Sequence, residues 1–167
     1  MSTKVYLIQL STFLLTLLIL GCPFVSNVPL DSSEKAKLDK KLIGKWAESP
    51  KKDELSSTLS VFQFNEREHL IIIEENNETA IYGAFVTKIK GNYFLNARSI
   101  EKEPKEKLEY AFVKYLIKND SLFLQIVDDE LFKERFTSSK RLRKFISENL
   151  NNDKLYGEQE ILVRVEE

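Results

Sequence analysis

A few side chains in this sequence could carry chemistry, and His69 is the first of them. It is the only histidine in the chain, and neither a second histidine nor a nearby cysteine accompanies it as a metal ligand. We therefore predict that His69 is a surface residue and that the chain holds no metal. The acidic run 128–130 lacks the alternating ligands and the glycine of a calcium loop, so we interpret it as a plain turn.

Ser138 and Ser139 are the candidate nucleophiles. They do not lie in a Gly-x-Ser-x-Gly segment, and the sequence has no second histidine to act as a base. We interpret them as caps of a helix that runs to about Asn149, since Leu142 and Ile146 recur on one face. The residue types argue against an enzyme, and we expect no catalytic residue and no cofactor.

Cys22 is the only cysteine, and its position gives it a specific chemistry. A short amino-terminal region with the cation of Lys4 precedes an apolar run over residues 5–20, which is the layout of a secretory signal peptide. Gly21 then stands directly before Cys22. The alternatives are an uncleaved membrane anchor and an ordinary signal peptide with a chance cysteine. The run is shorter than the roughly 20 residues that span hydrocarbon, which argues against the anchor.

The arrangement resembles the lipobox of bacterial lipoproteins, in which a small residue precedes the cysteine that becomes the lipidated amino terminus. Ile19 and Leu20 depart from the family pattern, which prefers Leu three residues before the cysteine and a small residue two before it. The resemblance implies that residues 1–21 are a signal peptide and that Cys22 carries acyl chains such as palmitate. It also implies that the protein is attached to a membrane of the bacterial cell envelope.

Composition limits the rest of the chain to one domain. The 167 residues include 25 basic and 26 acidic side chains, a net charge of −1, so no global field attracts nucleic acid and we expect no nucleic-acid partner. With one cysteine there is no disulfide, and the domain must be stabilised by its apolar core. We predict a lipidated cysteine and tether over residues 22–40, with a short helix capped by Asp31 or Ser32, and a barrel domain over residues 41–167.

Alternating apolar residues predict eight strands in that domain. We expect them near residues 42–48, 57–64, 69–74, 80–89, 92–98, 108–117, 122–127 and 161–165. Short polar turns between them indicate antiparallel neighbours. We therefore predict a mainly β fold, an antiparallel eight-stranded meander barrel with one helix before the last strand. An open sheet covered by the helix is the alternative.

Gly44 and Trp46 on the first strand and Arg164 on the last resemble the lipocalin, or calycin, signature. That signature is Gly-x-Trp, with an arginine from a late strand packing across the tryptophan. The resemblance implies that the three residues close one end of the barrel as a structural plug. The second lipocalin motif, Thr-Asp-Tyr, is absent, and the helix precedes the eighth strand instead of following it. A Phe-x-Ser-Ser segment beginning at Phe136 also resembles bacterial lipoproteins that have no assigned activity.

Four cations open the predicted helix: Lys140, Arg141, Arg143 and Lys144. Positive charges in the first turns of a helix oppose its macrodipole. One interpretation is a solvated face paired with acids such as Glu134 and Glu148. The other is contact with anionic lipid headgroups or an acidic partner, as suits a domain attached to a bilayer.

These observations favour a non-enzymatic, lipid-anchored envelope protein whose barrel binds a small apolar molecule or another macromolecule. The alternative is an interaction or inhibitor module with a filled barrel that acts through its rim loops. The interior of an eight-stranded barrel can be filled by side chains or can hold one small ligand. A cavity of about 300 Å³ or more would favour the ligand, and a packed interior would favour the partner.

Overall fold

A computed structural model describes residues 22–48, 57–100 and 108–165. The predicted signal peptide, residues 1–21, lies outside the described residues, so its role stays a prediction. No helix within the described ranges is long and apolar enough to cross a bilayer.

The described chain forms nine strands, one α-helix and two short 3-10 helices. The strands are β1 Val25–Ser26, β2 Gly44–Glu48, β3 Thr58–Gln63, β4 Glu68–Glu75, β5 Glu78–Ile89, β6 Asn92–Ser99, β7 Tyr110–Lys118, β8 Ser121–Val127 and β9 Tyr156–Arg164. The helix α1 is Ser139–Asn149, and the 3-10 helices are Ser33–Lys35 and Asp153–Leu155.

Strands β2 to β9 close into a barrel. Each pairs antiparallel with the next, and β9 returns to pair with β2, where Trp46 lies opposite Arg164. The two-residue strand β1 adds to β7 outside this ring. The predicted eight-stranded antiparallel barrel with one helix before the last strand is therefore confirmed, and the open sheet is excluded. The last strand begins at Tyr156, earlier than predicted, because Asn152 caps a 3-10 helix that leads directly into it.

Three hairpins join neighbouring strands by loops of two residues. All six loop residues have positive φ angles between 46° and 90°: Asn76, Asn77, Lys90, Gly91, Asn119 and Asp120. Two consecutive positive φ angles are the geometry of the type I′ turn, whose twist matches that of the flanking strands. Asn, Asp and Gly tolerate this geometry best, which explains why these polar pairs fix the strand register.

The barrel wall separates two hydrophobic cores. The interior core contains residues at alternate positions of the strands, including Trp46, Ile71, Leu95 and Leu122. The outer core lies between the outer face of β5 to β7 and the helix α1, whose buried residues include Leu142 and Ile146. Ser138 caps this helix, its Oγ accepting from the amide of Arg141 at 3.4 Å, as predicted.

The tether predicted over residues 22–40 needs correction, because much of this segment is packed on the barrel. Phe24 is 7% exposed and Leu30 is fully buried, both in the outer core. The amide of Leu30 donates to Oδ1 of the buried Asn96 at 2.7 Å. Apolar burial and this hydrogen bond outweigh the chain entropy that a flexible spacer would keep.

Candidate functional site in the barrel interior

Trp46 belongs to the interior core of the barrel. Its side chain has no exposed surface, and its Nε1 donates to the carbonyl oxygen of Leu42 at 2.8 Å. The guanidinium carbon of Arg164 lies 4.1 Å from the centre of the Trp46 ring, within the range of a cation–π interaction. The indole is therefore fully satisfied, and its ring and the arginine form one packed unit.

Gly44 is needed for that unit. Its φ of +134° is a conformation that residues with a Cβ rarely adopt, and a Cβ there would lie 2.5 Å from Nη1 of Arg164. The same guanidinium donates to the carbonyl oxygens of Ile43 at 2.9 Å and Lys41 at 2.7 Å. The structure thus brings Gly44, Trp46 and Arg164 together, and the glycine gives the arginine room to tie β9 to the chain before β2.

An apolar cavity of about 200 Å³ lies among interior residues of the barrel. Its lining is aliphatic and aromatic except for one carboxylate, and consists of Leu42, Leu59, Val61, Ile71, Ile73, Tyr82, Leu95, Ala97, Val113, Leu122, Leu124, Ile126 and Glu160. We call this space the apolar cavity. Its volume lies below the 300 Å³ expected of a site for a drug-sized ligand.

Glu160 brings a titratable group to the apolar cavity. Desolvation raises the pKa of its carboxyl group, and the negative charges of Glu48 and Glu75 raise it further. All three carboxyls therefore belong to one acidic end of the barrel. A carboxyl that is more easily protonated can present either a neutral donor or a negative charge to whatever enters the cavity.

His69 is buried, so its predicted surface position was wrong. Its side chain has no exposed surface, and its Nε2 lies 3.0 Å from the carbonyl oxygen of Asp39. Residues 69, 71 and 73 of β4 all face the interior, because side chains alternate along a strand, and Ile71 and Ile73 were the signal that could have placed it. Desolvation lowers the pKa of His69, and the contact with Asp39 only partly opposes that shift. In the neutral ring Nε2 donates to Asp39, and Nδ1 has no partner among the described residues.

A second concave space lies between the segment before β2 and residues of β5, β6 and β7. This groove of about 510 Å³ is lined by Lys35, Lys37, Leu38, Asp39, Lys41, Val86, Lys88, Tyr93, Tyr115, Leu116 and Ile117. We call it the Lys–Tyr groove. Sequence reasoning missed it, although Lys35, Lys37 and Lys41 recur within seven residues before β2, which is a signal for a basic edge.

The two spaces are separated by a packed layer. Along β5 the interior residues pass from Tyr82, which lines the apolar cavity, through the buried Ala84 to Val86, which lines the Lys–Tyr groove. Ala84 and Trp46 line neither space and belong to the same interior core. Along β5, buried side chains therefore lie between the apolar cavity and the Lys–Tyr groove.

Acids pair with three of the four helix cations. Arg141 contacts Glu134 at 2.9 Å and Lys144 contacts Glu148 at 3.7 Å, the partners expected of a solvated face. Arg143 contacts Asp31 at 3.1 Å and also donates to the carbonyl oxygen of Lys88 at 2.6 Å. Lys140 is exposed and has no ion-pair partner within the described part of the chain. This geometry favours a structural role in tying α1 to the barrel.

The remaining candidates lie apart from both spaces. Oδ1 of Asp128 accepts from the amide of Glu130 at 3.0 Å, which makes the acidic run 128–130 a turn. No group of three or more His, Cys, Asp or Glu residues within the described ranges could hold a metal ion. Cys22 is a free, exposed thiol.

Comparisons with known proteins found no match for this chain. No family model matches the chain, no curated protein matches it, and no solved structure matches it. The barrel and the cluster of Gly44, Trp46 and Arg164 are therefore described for this chain without an assigned family.

Proposed function

We propose that this protein is a cell-envelope lipoprotein, anchored through acylated Cys22, whose barrel binds a small apolar ligand without a catalytic step. The observation that carries the proposal is the apolar cavity, an apolar space of about 200 Å³ bounded on one side by the packed layer at Trp46. Packed cores rarely contain voids larger than a water molecule, so an apolar space of this size beside the interior core supports a small apolar occupant.

The size and lining of the cavity define the ligand class. Apolar cavities of about 150 Å³ stay dry and take up molecules of the size of benzene, so the ligand is small and largely hydrocarbon. Glu160 gives the site one polar contact, suited to a hydroxyl or an amine on an otherwise apolar molecule.

Filling the cavity tests the ligand site. Toluene should raise the midpoint of thermal unfolding of the full chain, since a ligand that binds only the folded state stabilises it. Ala97→Phe, which places a ring in the cavity, should abolish that rise, whereas Leu116→Phe on the exposed side of β7 should keep it. No rise in the wild type, or an equal rise in Ala97→Phe, would contradict the proposal.

The exposure of Cys22 supports the anchor. The carbonyl oxygen of Cys22 accepts from the amide of Asp129 at 3.1 Å, so the residue is fixed at the barrel surface with its thiol in solvent. Mass spectrometry of the membrane-extracted protein should find an acylated amino-terminal Cys22 and no residues 1–21. An intact Met1, or an unmodified thiol on a protein free in the soluble fraction, would rule out lipidation.

A second candidate function is an interaction or inhibitor module that works through its rim loops. The observation that favours it is the cavity volume, which falls short of 300 Å³. A photoreactive side chain in place of Glu75 at the acidic end should then give one discrete adduct in the native envelope, with Lys133 as the control position. An adduct that persists in Ala97→Phe would favour this candidate over the ligand site, and adducts of equal yield at both positions would argue against it.

A further inference from the structure

The Lys–Tyr groove has the composition of a ligand site that the apolar cavity does not explain. Lys35, Lys37 and Lys41 come from the segment before β2, and Lys88 comes from the end of β5. All four side chains are exposed, so their ammonium groups surround the groove in solvent. Apolar groups form its floor.

Two tyrosine rings dominate that floor. The ring centres of Tyr93 and Tyr115 are 5.7 Å apart, and Tyr115 is only 4% exposed. Its hydroxyl donates to Oδ2 of Asp39 at 2.8 Å, which fixes the ring in place. The groove thus offers the partly exposed ring of Tyr93, supported by the fixed ring of Tyr115, beneath movable cations.

The charges of the groove are not balanced from within. Asp39 is the one acid of its lining, and its carboxylate already accepts from the Tyr115 hydroxyl and from the amide of Lys41. Lys35 has a weak partner in Asp31 at 3.9 Å, and Lys88 lies 4.9 Å from the centre of the Tyr93 ring. The ammonium groups of Lys37 and Lys41 have no ion-pair partner in the described ranges. A concave surface with excess positive charge concentrates anions.

We propose that the Lys–Tyr groove binds a soluble organic anion, with its phosphate or carboxylate group held by the lysines and its apolar body on the two tyrosines. The volume of about 510 Å³ lies within the range of small-molecule sites. A bilayer presents its headgroups on a broad surface, whereas the tyrosine floor lies inside the mouth of the barrel. That difference in shape favours a free anion over a lipid headgroup.

This site is independent of the proposed apolar ligand. The groove and the apolar cavity share no lining residue, and the layer at Trp46 separates them. The groove should therefore bind its anion equally well in Ala97→Phe. If one of the two sites does not bind its ligand, the proposal for the other site is therefore unaffected.

Lysine acylation of the full chain in nanodiscs of zwitterionic lipid, read by mass spectrometry, tests the proposal. Phenyl phosphate is the probe and phenol its neutral match. The probe should slow acylation of Lys37, Lys41 and Lys88, whereas Lys140 and Lys144 on α1 should react at an unchanged rate. Equal slowing at both sets of lysines, no slowing, or equal slowing by phenol would overturn the proposal.

Calorimetric titration with matched variants completes the test. Lys37→Gln with Lys41→Gln should weaken phenyl phosphate binding about threefold to tenfold, as expected for the loss of two exposed charge contacts. Lys140→Gln with Lys144→Gln removes the same charge elsewhere and should leave the affinity unchanged. Protection of the groove lysines by anionic nanodiscs without phenyl phosphate would assign the site to a headgroup and overturn the soluble ligand.

Discussion

The two ends of the barrel interior offer opposite chemistry within one closed sheet. The acidic end has an apolar cavity of about 200 Å³ with the carboxyl of Glu160 in its lining, whereas the basic end has a groove of about 510 Å³ with four lysines. Because inward-facing residues alternate along every strand, a few substitutions near strand ends suffice to change the character of each end. The two spaces share no lining residue, so each can be altered without changing the lining of the other.

Removing the layer is the largest change that the two-ended arrangement predicts. Trp46→Ala should lower the free energy of unfolding by about 3 to 5 kcal/mol, because a fully buried aromatic side chain is lost and a cavity remains. Denaturant unfolding measures it, and Trp46→Phe is the control with a smaller loss. An unchanged midpoint in Trp46→Ala, or wild-type emission near that of free indole in water, would show that Trp46 does not divide the interior.

Substitution of Gly44 tests how much its close contact with Arg164 contributes to the packing of Arg164 on Trp46. Gly44→Ala should cost about 1 to 3 kcal/mol, because the residue has a positive φ and the new Cβ meets the Arg164 guanidinium. Gly91→Ala is the matched control, since its φ is also positive but nothing lies within 4 Å of the added Cβ. Equal losses in the two variants, measured by thermal unfolding, would show that the clash with Arg164 contributes nothing.

His69 makes the basic end sensitive to acid. Its pKa is lowered in the folded state from an ordinary 6.5, so its contribution to stability is present above pH 6.5 and is lost as the pH falls below that value. His69→Gln should flatten this part of the stability profile. The chain has one histidine, so NMR can follow its imidazole without ambiguity. An imidazole that titrates at or above 6.5 would contradict its buried position.

Glu160 gives the acidic end the opposite response. Its pKa is raised in the folded state from an ordinary 4.5, so the folded state is penalised at neutral pH and relieved as the pH falls through the raised value. Glu160→Gln should therefore stabilise the protein at pH 7 and lose that advantage near pH 4. Glu66→Gln, in the turn between β3 and β4, is the control. If Glu160→Gln is no more stable than the wild type at pH 7, the Glu160 carboxylate does not destabilise the folded state, and the two ends do not differ in their response to pH.

The helix cations should have the smallest effect. Replacing Lys140, Arg141, Arg143 and Lys144 with Gln should change the free energy of unfolding by about 1 kcal/mol or less, since exposed ion pairs contribute little and the dipole term partly offsets their loss. Partition of the wild type and the variant onto anionic vesicles is the second measurement. Equal partition would rule out a headgroup role, and a salt-sensitive loss in the variant would support one.

The sequence predicts local structure better than neighbours across the barrel. Short polar turns and alternating apolar residues were sufficient to predict the eight strands and their order. Apolar residues at steps of three and four were sufficient to predict α1. His69 was misplaced because its polar type was weighed above its alternation with Ile71 and Ile73. Lys88 lies 47 residues from Lys41, so only barrel closure places them on one groove.

The segment that packs on the barrel was predicted as a tether for a related reason. Pro23 and Pro29 are typical of spacers, but Phe24 stacks on Phe132 with ring centres 3.6 Å apart, and Leu30 enters the outer core. These partners come from more than sixty residues away in the chain, beyond the reach of any local pattern. The apolar residues between the prolines were the signal that this stretch has a surface to bury.

The docking of Cys22 on the barrel has a consequence for the proposed lipid anchor. Pro23 forms a β-bridge with Asp128, and the amide of Phe24 donates to the carbonyl oxygen of Val127. The residues directly after Cys22 are therefore held on the barrel and do not act as a flexible spacer. Cys22 lies at the end of β8, whereas Leu116 and Ile117 line the groove beside the turn at its start, about 20 Å away along the strand. If Cys22 carries the proposed acyl anchor, that anchor and the Lys–Tyr groove would lie at opposite ends of β8, with the groove on the end away from the bilayer.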